Sequence, residues 1–568
     1  MTPSEIINAI LQGRGIVGDA AVFEFLSDSP QLIHDPFLLE DMHAGVTALL
    51  AAIADGRRIC IYGDYDVDGV CGTAMLCRYL SDIGGNDRIV YYIPSRIEEG
   101  YGLNKEALAS IHDGSVFPDG IRADLVLTVD CGSVSVSEVD FAHEIGLEII
   151  ITDHHDLAKT LAPDCIHINP KRGEYPFKGL CGAAVAFKLC CAIEEMREKE
   201  SGKEKVDKSI FTGLIDFVCV ATIADVMSLV DENRTLVKYG LRTIRRKRRL
   251  ALNVLFQVAG IDPGSATVRD IAFGIAPRIN AAGRLSNAAD AVELFLTEDE
   301  SHIQEIASRI DRLNTERRNI QDECYKECMV LYESAISDNG DGPQFLMLKP
   351  KLAHEGVAGI VAGKIRESTG FPCAVLSETK EGELKGSARS VGRLDLTAFL
   401  RGRSEYFLQL GGHSAAAGFT LRKEDESLLR ECLASDLLAL VEADPDLLNE
   451  EELIDLNIES LDIDFELAEA LESLAPFGQG NPLPALAFYA PAGSISSIKK
   501  LGAGRVHVRF QIDGLECIWF SGAEALTLLI AGSPEEEIEI IGHPEVNKWN
   551  GRKSLQLVVS IARKRGLV

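Results

Sequence analysis

The stretch RRICIYGDYDVDGV, residues 57–70, decides how the first third of the chain is read. RRICIYG is a short apolar run of strand length, and the pattern from 70 to 83 is helical. An acidic loop carrying Asp64, Asp66 and Asp68 sits at that strand-to-helix junction. Outward from it, four more runs have the same strand character: RIVYYIP (88–94), ADLVLTVD (123–130), LEIIITD (147–153) and CIHIN (165–169). Helical stretches, such as 134–145, separate several of them. Short apolar runs split by helices predict a parallel sheet covered on both faces.

Two further acidic clusters follow strands of this predicted sheet, Val129-Asp130-Cys131-Gly132 and Thr152-Asp153-His154-His155-Asp156. In such sheets the carboxyl ends of the strands open into one crevice, so residues distant in sequence converge there. Convergent carboxylates repel, and a cation relieves them. Oxygen ligands with one or two imidazoles suit Mn²⁺ or Mg²⁺. Each cluster alone has a plainer reading. The first could be a solvated turn, a lone strand-end Asp is often a helix cap, and adjacent histidines often only hydrogen-bond. It is not an EF-hand, because the twelfth positions counted from Asp64, Asp66 and Asp68 are Met75, Cys77 and Tyr79. Three clusters in strand-end register favour a metal site. Asp225 adds a carboxylate at the end of FTGLIDFVCVATIAD (211–225), where a buried acid needs a cation, a metal or a cap.

The rest of the chain bounds the function. At 568 residues it exceeds one hydrophobic core. Its opening lacks a basic start followed by an apolar run, and no uncharged apolar stretch approaches the ~20 residues of a membrane span, so a cytoplasmic protein with no membrane partner is expected. The 14 cysteines include no Cys-x-x-Cys pair, so they read as buried thiols rather than zinc ligands. The net charge of −30 disfavours nucleic acid, yet residues 441–470 hold twelve acidic and no basic side chains while 242–249 reads RTIRRKRR, so the mean can hide a basic groove. No G-x-S-x-G elbow is present, which points away from a serine nucleophile.

After residue 209 the pattern is helical, with a long polar-faced helix over 299–335. A second α/β pattern starts near 344, and β-rich runs from about 484 to 568 suggest a small closed barrel such as an OB fold. The predicted architecture is therefore α/β: two α/β domains joined by a long helix, plus a C-terminal all-β OB-like barrel. The division drawn is 1–230, 231–335, 336–440 and 441–568.

GDYDVDG, VDCG, TDHH and the helix ending ATIADVMSL resemble the four motifs of the DHH phosphoesterase superfamily. IPSRIEEGYGLN (93–104), APRINAAGRLSNA (276–288), HEGVAGIVAGKI (354–365), GSARS (386–390), GGHSAAAGF (411–419) and LAPFGQGNPLPAL (474–486) extend the resemblance to its single-strand-specific exonuclease branch, over roughly residues 40–565. The resemblance implies two-metal-ion hydrolysis of phosphodiester bonds, with single-stranded DNA degraded 5′→3′ to 5′-mononucleotides in DNA repair and recombination. It implies Asp66, Asp68, Asp130, His154 and Asp225 as ligands of Mn²⁺ or Mg²⁺, His155 at a substrate phosphate, and Asp64 and Asp153 as residues that orient ligands. Arg96, Ser387 and Arg389 would take a 5′-terminal phosphate. Arg278, Asn280 and Arg284 would hold the next phosphates, and Gly411, Gly412 and His413 would border the substrate. Tyr62 departs from the pattern, since several pyrophosphatases of the superfamily have a histidine there, so one ion is expected to be weakly held.

A monomer acting on a free 5′ end is expected, supplied by a helicase and a single-strand-binding protein. Lys548, Trp549, Arg552 and Lys553 either stack on and neutralise single-stranded DNA, or Trp549 is a barrel-rim core residue. The run Arg245–Arg249 either touches DNA or is a solvated helix face. The competing functions are a phosphodiesterase of short oligonucleotides or cyclic dinucleotides, and a non-catalytic replication scaffold of the same superfamily.

Overall fold

All five apolar runs between 57 and 170 become strands: β1 (Ile59–Gly63), β2 (Ile89–Tyr92), β3 (Leu125–Val129), β4 (Glu148–Thr152) and β5 (Ile166–Ile168). They form one parallel sheet in the order β2-β1-β3-β4-β5. β1 and β3 are buried along their whole length, as sheets covered on both faces require. Cys60, Tyr62, Val126, Ile149 and Ile151 share one core with Leu108, Ile111, Val139 and Ala142 of the helices Lys105–Asp113 and Val136–Ile145. The chain leaves β1 toward β2 on one side and returns to β3 on the other. The crevice of this sheet therefore opens between the ends of β1 and β3, where Asp64–Asp68 and Asp130 lie.

This computed structural model describes the chain except residues 86, 97, 158–161, 201–208, 340–343, 381, 450–452, 550–551 and 566–568. It divides into two units, Asp35–Asp225 with Gly240–Glu451, and Met1–His34 with Val226–Tyr239 and Glu452–Val568.

In the larger unit the long helix spans Glu300–Asn339. Its Cys324 and Cys328 pack on Val357, Val361 and Ile365 of the helix Glu355–Thr369. That helix covers one face of a second sheet, β6 (Leu346–Leu348), β7 (Cys373–Glu378), β8 (Leu384–Arg389), β9 (Phe407–Gly412) and β10 (Ala416–Leu421), in the order β6-β7-β8-β10-β9. Leu429, Leu433 and Leu437 of the helix Glu426–Ala443 join the core on the other face with Leu384 and Ala388. Strand alternation then turns Lys385, Ser387 and Arg389 toward the first face.

In the smaller unit β11 (Leu456–Asn457), β12 (Leu486–Pro491), β13 (Ile495–Leu501), β14 (His507–Ile512), β15 (Leu515–Trp519), β16 (Glu537–Trp549) and β17 (Arg552–Lys564) pair in the order β11-β12-β16-β17-β15-β14-β13. The closed barrel expected from sequence is corrected to an open order among the described residues. β13 is a largely exposed edge with a register shift between Ser496 and Lys499, and Lys499 and Lys500 stand on it; bulges and lysines are the features that keep an edge strand unpaired. Residues 1–34, grouped with the first α/β domain in the sequence division, belong to this unit. Ile6, Ile10 and Leu11 of the helix Pro3–Gly13 are buried with Leu467, Leu471, Leu474 and Leu486. The side chains of Lys548, Trp549 and Arg552 lie outside the described residues, and Lys553 pairs with Glu469. All 14 cysteines are free. No single helix among the described residues is long and apolar enough to cross a membrane.

Candidate metal centre and phosphate pocket

The strand-to-helix turn after β1 places its aspartates by capping. Asp66 is the N-cap of the helix Val67–Gly84, its Oδ1 accepting from the amides of Asp68 (2.8 Å) and Gly69 (3.2 Å). Asp68, buried two residues further on, accepts from the amides of Gly182 (2.6 Å) and Ala183 (2.7 Å) at the start of the helix Gly182–Glu200. The free amides of a helix N-terminus suit a carboxylate, so this second helix fixes the orientation of Asp68. Asp130 follows β3 with a left-handed backbone, φ +65°. Gly182 packs so closely on it that a β-carbon there would lie 2.6 Å from Asp130 Cβ.

The loop after β4 is organised by Asp153. Its Oδ1 accepts from the amides of His154 (2.7 Å) and His155 (3.2 Å) and from His155 Nδ1 (2.8 Å), while Oδ2 accepts from Ser133 N (2.9 Å). Burial works against ionisation here, but the His155 hydrogen bond and the two imidazoles hold Asp153 well below the usual carboxylate range. Burial likewise works against protonated His155, and Asp153 outweighs it, pushing the imidazole up to about 9. His154 goes the other way. Burial lowers it, leaving a neutral ring with a free nitrogen.

His154 Nε2 stands 3.0 Å from Asp130 Oδ1, 3.6 Å from Asp225 Oδ2 and 3.7 Å from Asp68 Oδ2. These approaches lack hydrogen-bond geometry. His154 Nε2, Asp130 Oδ1 and Asp64 Oδ1 are all buried with no hydrogen-bond partner. An unpaired buried polar atom is costly, and three in one pocket ask for a common partner. Ligand atoms of three overlapping groups lie within 4.8 Å of one another: Asp130, His154 and His155; Asp68, His154 and Asp225; and Asp64, Asp66 and Asp130. Burial, then the neighbouring carboxylates, raises Asp64, Asp66 and Asp130 and pushes Asp225 up to about 8. Two like charges 4 Å apart repel by about 4 kcal/mol at the effective dielectric of such sites. Oxygen donors with one neutral imidazole fit hard divalent cations.

Tyr62 is wholly buried and donates to the Gly102 carbonyl (3.0 Å), so it belongs to the core behind the site. Sequence reasoning did not single out Tyr101, Ser133 or Asn169. Tyr101 Oη lies 2.9 Å from His155 Nδ1 and 3.1 Å from the Asp130 carbonyl oxygen. Asn169 Nδ2 donates to Ser133 Oγ (2.9 Å) and to the His155 carbonyl (3.0 Å), tying β5 to both loops. The Asn after CIHI at a strand end was the available signal. Asn169→Ala is expected to lower turnover about tenfold at saturating metal, the scale of lost supporting contacts at metal sites. Steady-state hydrolysis with a metal titration checks it.

A cationic region adjoins this centre. The Arg96 guanidinium lies over the Tyr65 ring at 5.0 Å, and Arg284 donates to the Gly356 carbonyl (2.6 Å). Neither forms an ion pair among the described residues. Burial and the nearby Arg96 and Arg317 push Arg284 down to about 10, outweighing the opposing pull of Asp66. Ser387 and Arg389 lie side by side on β8; a β-carbon at Gly359 would meet Ser387 Oγ at 2.8 Å and an Arg389 nitrogen at 3.1 Å. Arg96 and Ser387 line one cavity of about 440 Å³ together with Gly411. Gly412 has φ +144° beside it, and His413 Nδ1 stands 3.7 Å from Asp156 Oδ2 next to the histidine loop.

Two candidates are employed differently. Arg278 is buried, paired with Asp311 (2.8 Å) and donating to the Gly274 carbonyl (2.6 Å), partners that brace it where it stands. Asn280 accepts from the Val67 amide (3.2 Å), which steadies the Asp66–Asp68 turn. Of the basic run, Arg245 and Lys247 are engaged by the Ala266 carbonyl and Asp262, and Arg249 by Asp216.

Comparison with known proteins agrees with this geometry. The DHH family N-terminal domain matches residues 58–222, the DHHA1 domain 342–437 and the RecJ OB domain 454–560. The single-stranded-DNA-specific exonuclease RecJ of Bacillus subtilis is 33% identical over 98% of this chain and 68% of its own length. RecJ of Dickeya dadantii is 32% identical over 92% and 90%. The crystal structure of Thermus thermophilus RecJ in complex with Mn²⁺ superposes with a TM-score of 0.77 at 28% identity, covering 100% of this chain and 79% of that one. Its complex with Mg²⁺ gives 0.73 at 26% identity, covering 100% and 78%. The chain belongs to the RecJ family.

Proposed function

We propose that this chain is a metal-dependent exonuclease that degrades single-stranded DNA from its 5′ end to 5′-mononucleotides. The observation that carries the reading is the set of orphaned ligand atoms on Asp64, Asp130 and His154, buried beside Arg96 and Arg284. Mn²⁺ or Mg²⁺ would be held by Asp66, Asp68, Asp130, His154 and Asp225, with Asp64 able to join them. Bound there, such ions supply charge neutralisation and Lewis acidity toward a phosphodiester. One ion would have fewer protein ligands, because Tyr62 is committed to the core. His155, protonated and oriented by Asp153, donates to a non-bridging phosphate oxygen. Arg96, Ser387 and Arg389 seat the 5′-phosphate, so the first internucleotide bond falls at the carboxylates. Arg284 and the amides of Gly411 and Gly412 line the entry.

A full set of carboxylates argues against a non-catalytic scaffold, and the matched OB domain argues against a substrate of one or two nucleotides. The chain acts as a monomer in the cytoplasm on strands supplied by a helicase and a single-strand-binding protein.

The test is digestion of 5′-labelled and 3′-labelled single strands and duplex, with and without Mn²⁺. Early release of labelled mononucleotide from the 5′-labelled single strand alone is expected, and none without metal. Early release from the 3′ label, or equal attack on blunt duplex, overturns the reading.

A further inference from the structure

The face of β8 that carries Ser387 and Arg389 does not end with them. Cross-strand pairing sets out two polar rows. One joins Ser387, Gly418 and Gly411. The next joins Ser377, Lys385, Thr420 and Gln409, about 7 Å further along the strands and away from His413, whose ring stands beside Asp156. A β-carbon at Gly411 or Gly418 would meet nothing within 4 Å, so the first row is an open hollow floored by backbone. The cavity of about 440 Å³ spans both rows, and one terminal phosphate at Ser387 leaves its far half unfilled.

That far half has the chemistry of a phosphate site. It offers the Lys385 ammonium, the hydroxyls of Ser377 and Thr420 and the Gln409 amide, beside Gly356 in the first turn of the 15-residue helix Glu355–Thr369. Lys385 is paired with Glu355 at 2.9 Å, both partly exposed. Such a pair contributes about 0–1 kcal/mol, so the ammonium exchanges readily onto a phosphate. Glu355 opposes an anion there and limits its affinity.

We propose that this hollow receives the second and third phosphates of a 5′-triphosphate end, so that the chain accepts triphosphorylated single strands as well as monophosphorylated ones. The inference rests on the reading of Arg96, Ser387 and Arg389 as the seat of the first phosphate. With the end seated, water adds to the phosphorus of the first phosphodiester and its P–O3′ bond breaks. The 3′-oxygen leaves with the terminal residue and takes a proton, and the shortened strand keeps a 5′-phosphate. The first product is then a nucleoside 5′-triphosphate, and later products are monophosphates.

The experiment gives the full-length protein, with excess Mn²⁺, single strands of one sequence ending in 5′-hydroxyl, 5′-monophosphate or 5′-triphosphate, and identifies the first product by mass. Release of the nucleoside triphosphate is expected. Lys385→Ala should lower the triphosphate-to-monophosphate rate ratio about tenfold, the scale of one charge-assisted contact, and Glu355→Gln should raise it. A refused triphosphate end, prior loss of pyrophosphate, or a ratio unmoved by both variants overturns the proposal. Arg389→Ala separates the layers. If it leaves the advantage of 5′-monophosphate over 5′-hydroxyl intact, the phosphate-seat reading fails and this inference with it. If it abolishes that advantage while triphosphate ends are refused, the extension alone falls.

Discussion

Asp130→Ala is expected to reduce metal-dependent hydrolysis by at least about 1,000-fold, roughly 4 kcal/mol of barrier, while the protein stays folded. Asp130 is shared by two of the three ligand groups, with His154 and His155 on one side and Asp64 and Asp66 on the other. Its Oδ1 has no hydrogen bond to lose, so no structural contact of that atom goes with it. Removing it also relieves repulsion with Asp64, Asp66, Asp68 and Asp225, the groups that raise its own proton affinity. The variant without metal should therefore melt at or above the wild-type temperature, although a buried side chain has been shortened. Turnover of a 5′-labelled single strand, with a thermal melt in chelator, checks both halves. Wild-type turnover would contradict the account, and a collapsed melt would assign Asp130 a structural role instead.

Gly182→Ala should be nearly as damaging through one methyl group. The added carbon would lie 2.6 Å from Asp130 Cβ and 2.8 Å from its Cα, so the backbone of a residue already at φ +65° must move. The same helix start donates two amides to Asp68, so the shift reaches both loops. A loss of about 100-fold in turnover is expected, because misplacement by about 1 Å costs that much. Overpacking should also cost about 1–3 kcal/mol of stability. Gly213→Ala is the control. It adds the same atom in the helix Ser209–Ala224 where nothing lies within 4 Å, and helix propensity should make it neutral or slightly stabilising. Activity and denaturant melts of the two variants make the comparison.

Both predictions turn on how the loops pack, which marks where sequence reading stopped. Five strands, the acidic junction after β1 and the helix leading to Asp225 were legible because apolar period and strand-end position are local properties. So was the convergence of Asp66, Asp68, Asp130 and the two histidines, once a parallel sheet was inferred. The tethering of Asp68 by Gly182 and Ala183 was not, because 114 residues separate Asp68 from Gly182 and no local pattern marks the pairing. Arg278 shows a limit of the same kind. An arginine looks free in sequence, and only the packed helices reveal Asp311 beside it. The helix Pro3–Gly13 is amphipathic, which announces that it packs but not on what; its partners Leu467 and Leu471 lie more than 450 residues away. The open order of the C-terminal sheet escaped for a related reason, since strand count is local and closure depends on which edges pair.

The most direct test of the central claim is a calorimetric Mn²⁺ titration of the full chain and of its Asp130→Asn variant, which keeps the side-chain volume. A tight binding event in the wild type that is lost or weakened at least about tenfold in the variant is expected, since a carboxylate common to two of the three ligand groups has lost its charge. Equal affinity and stoichiometry in the two proteins would mean that the buried cluster of Asp64, Asp66, Asp68, Asp130, His154 and Asp225 is not where the metal binds.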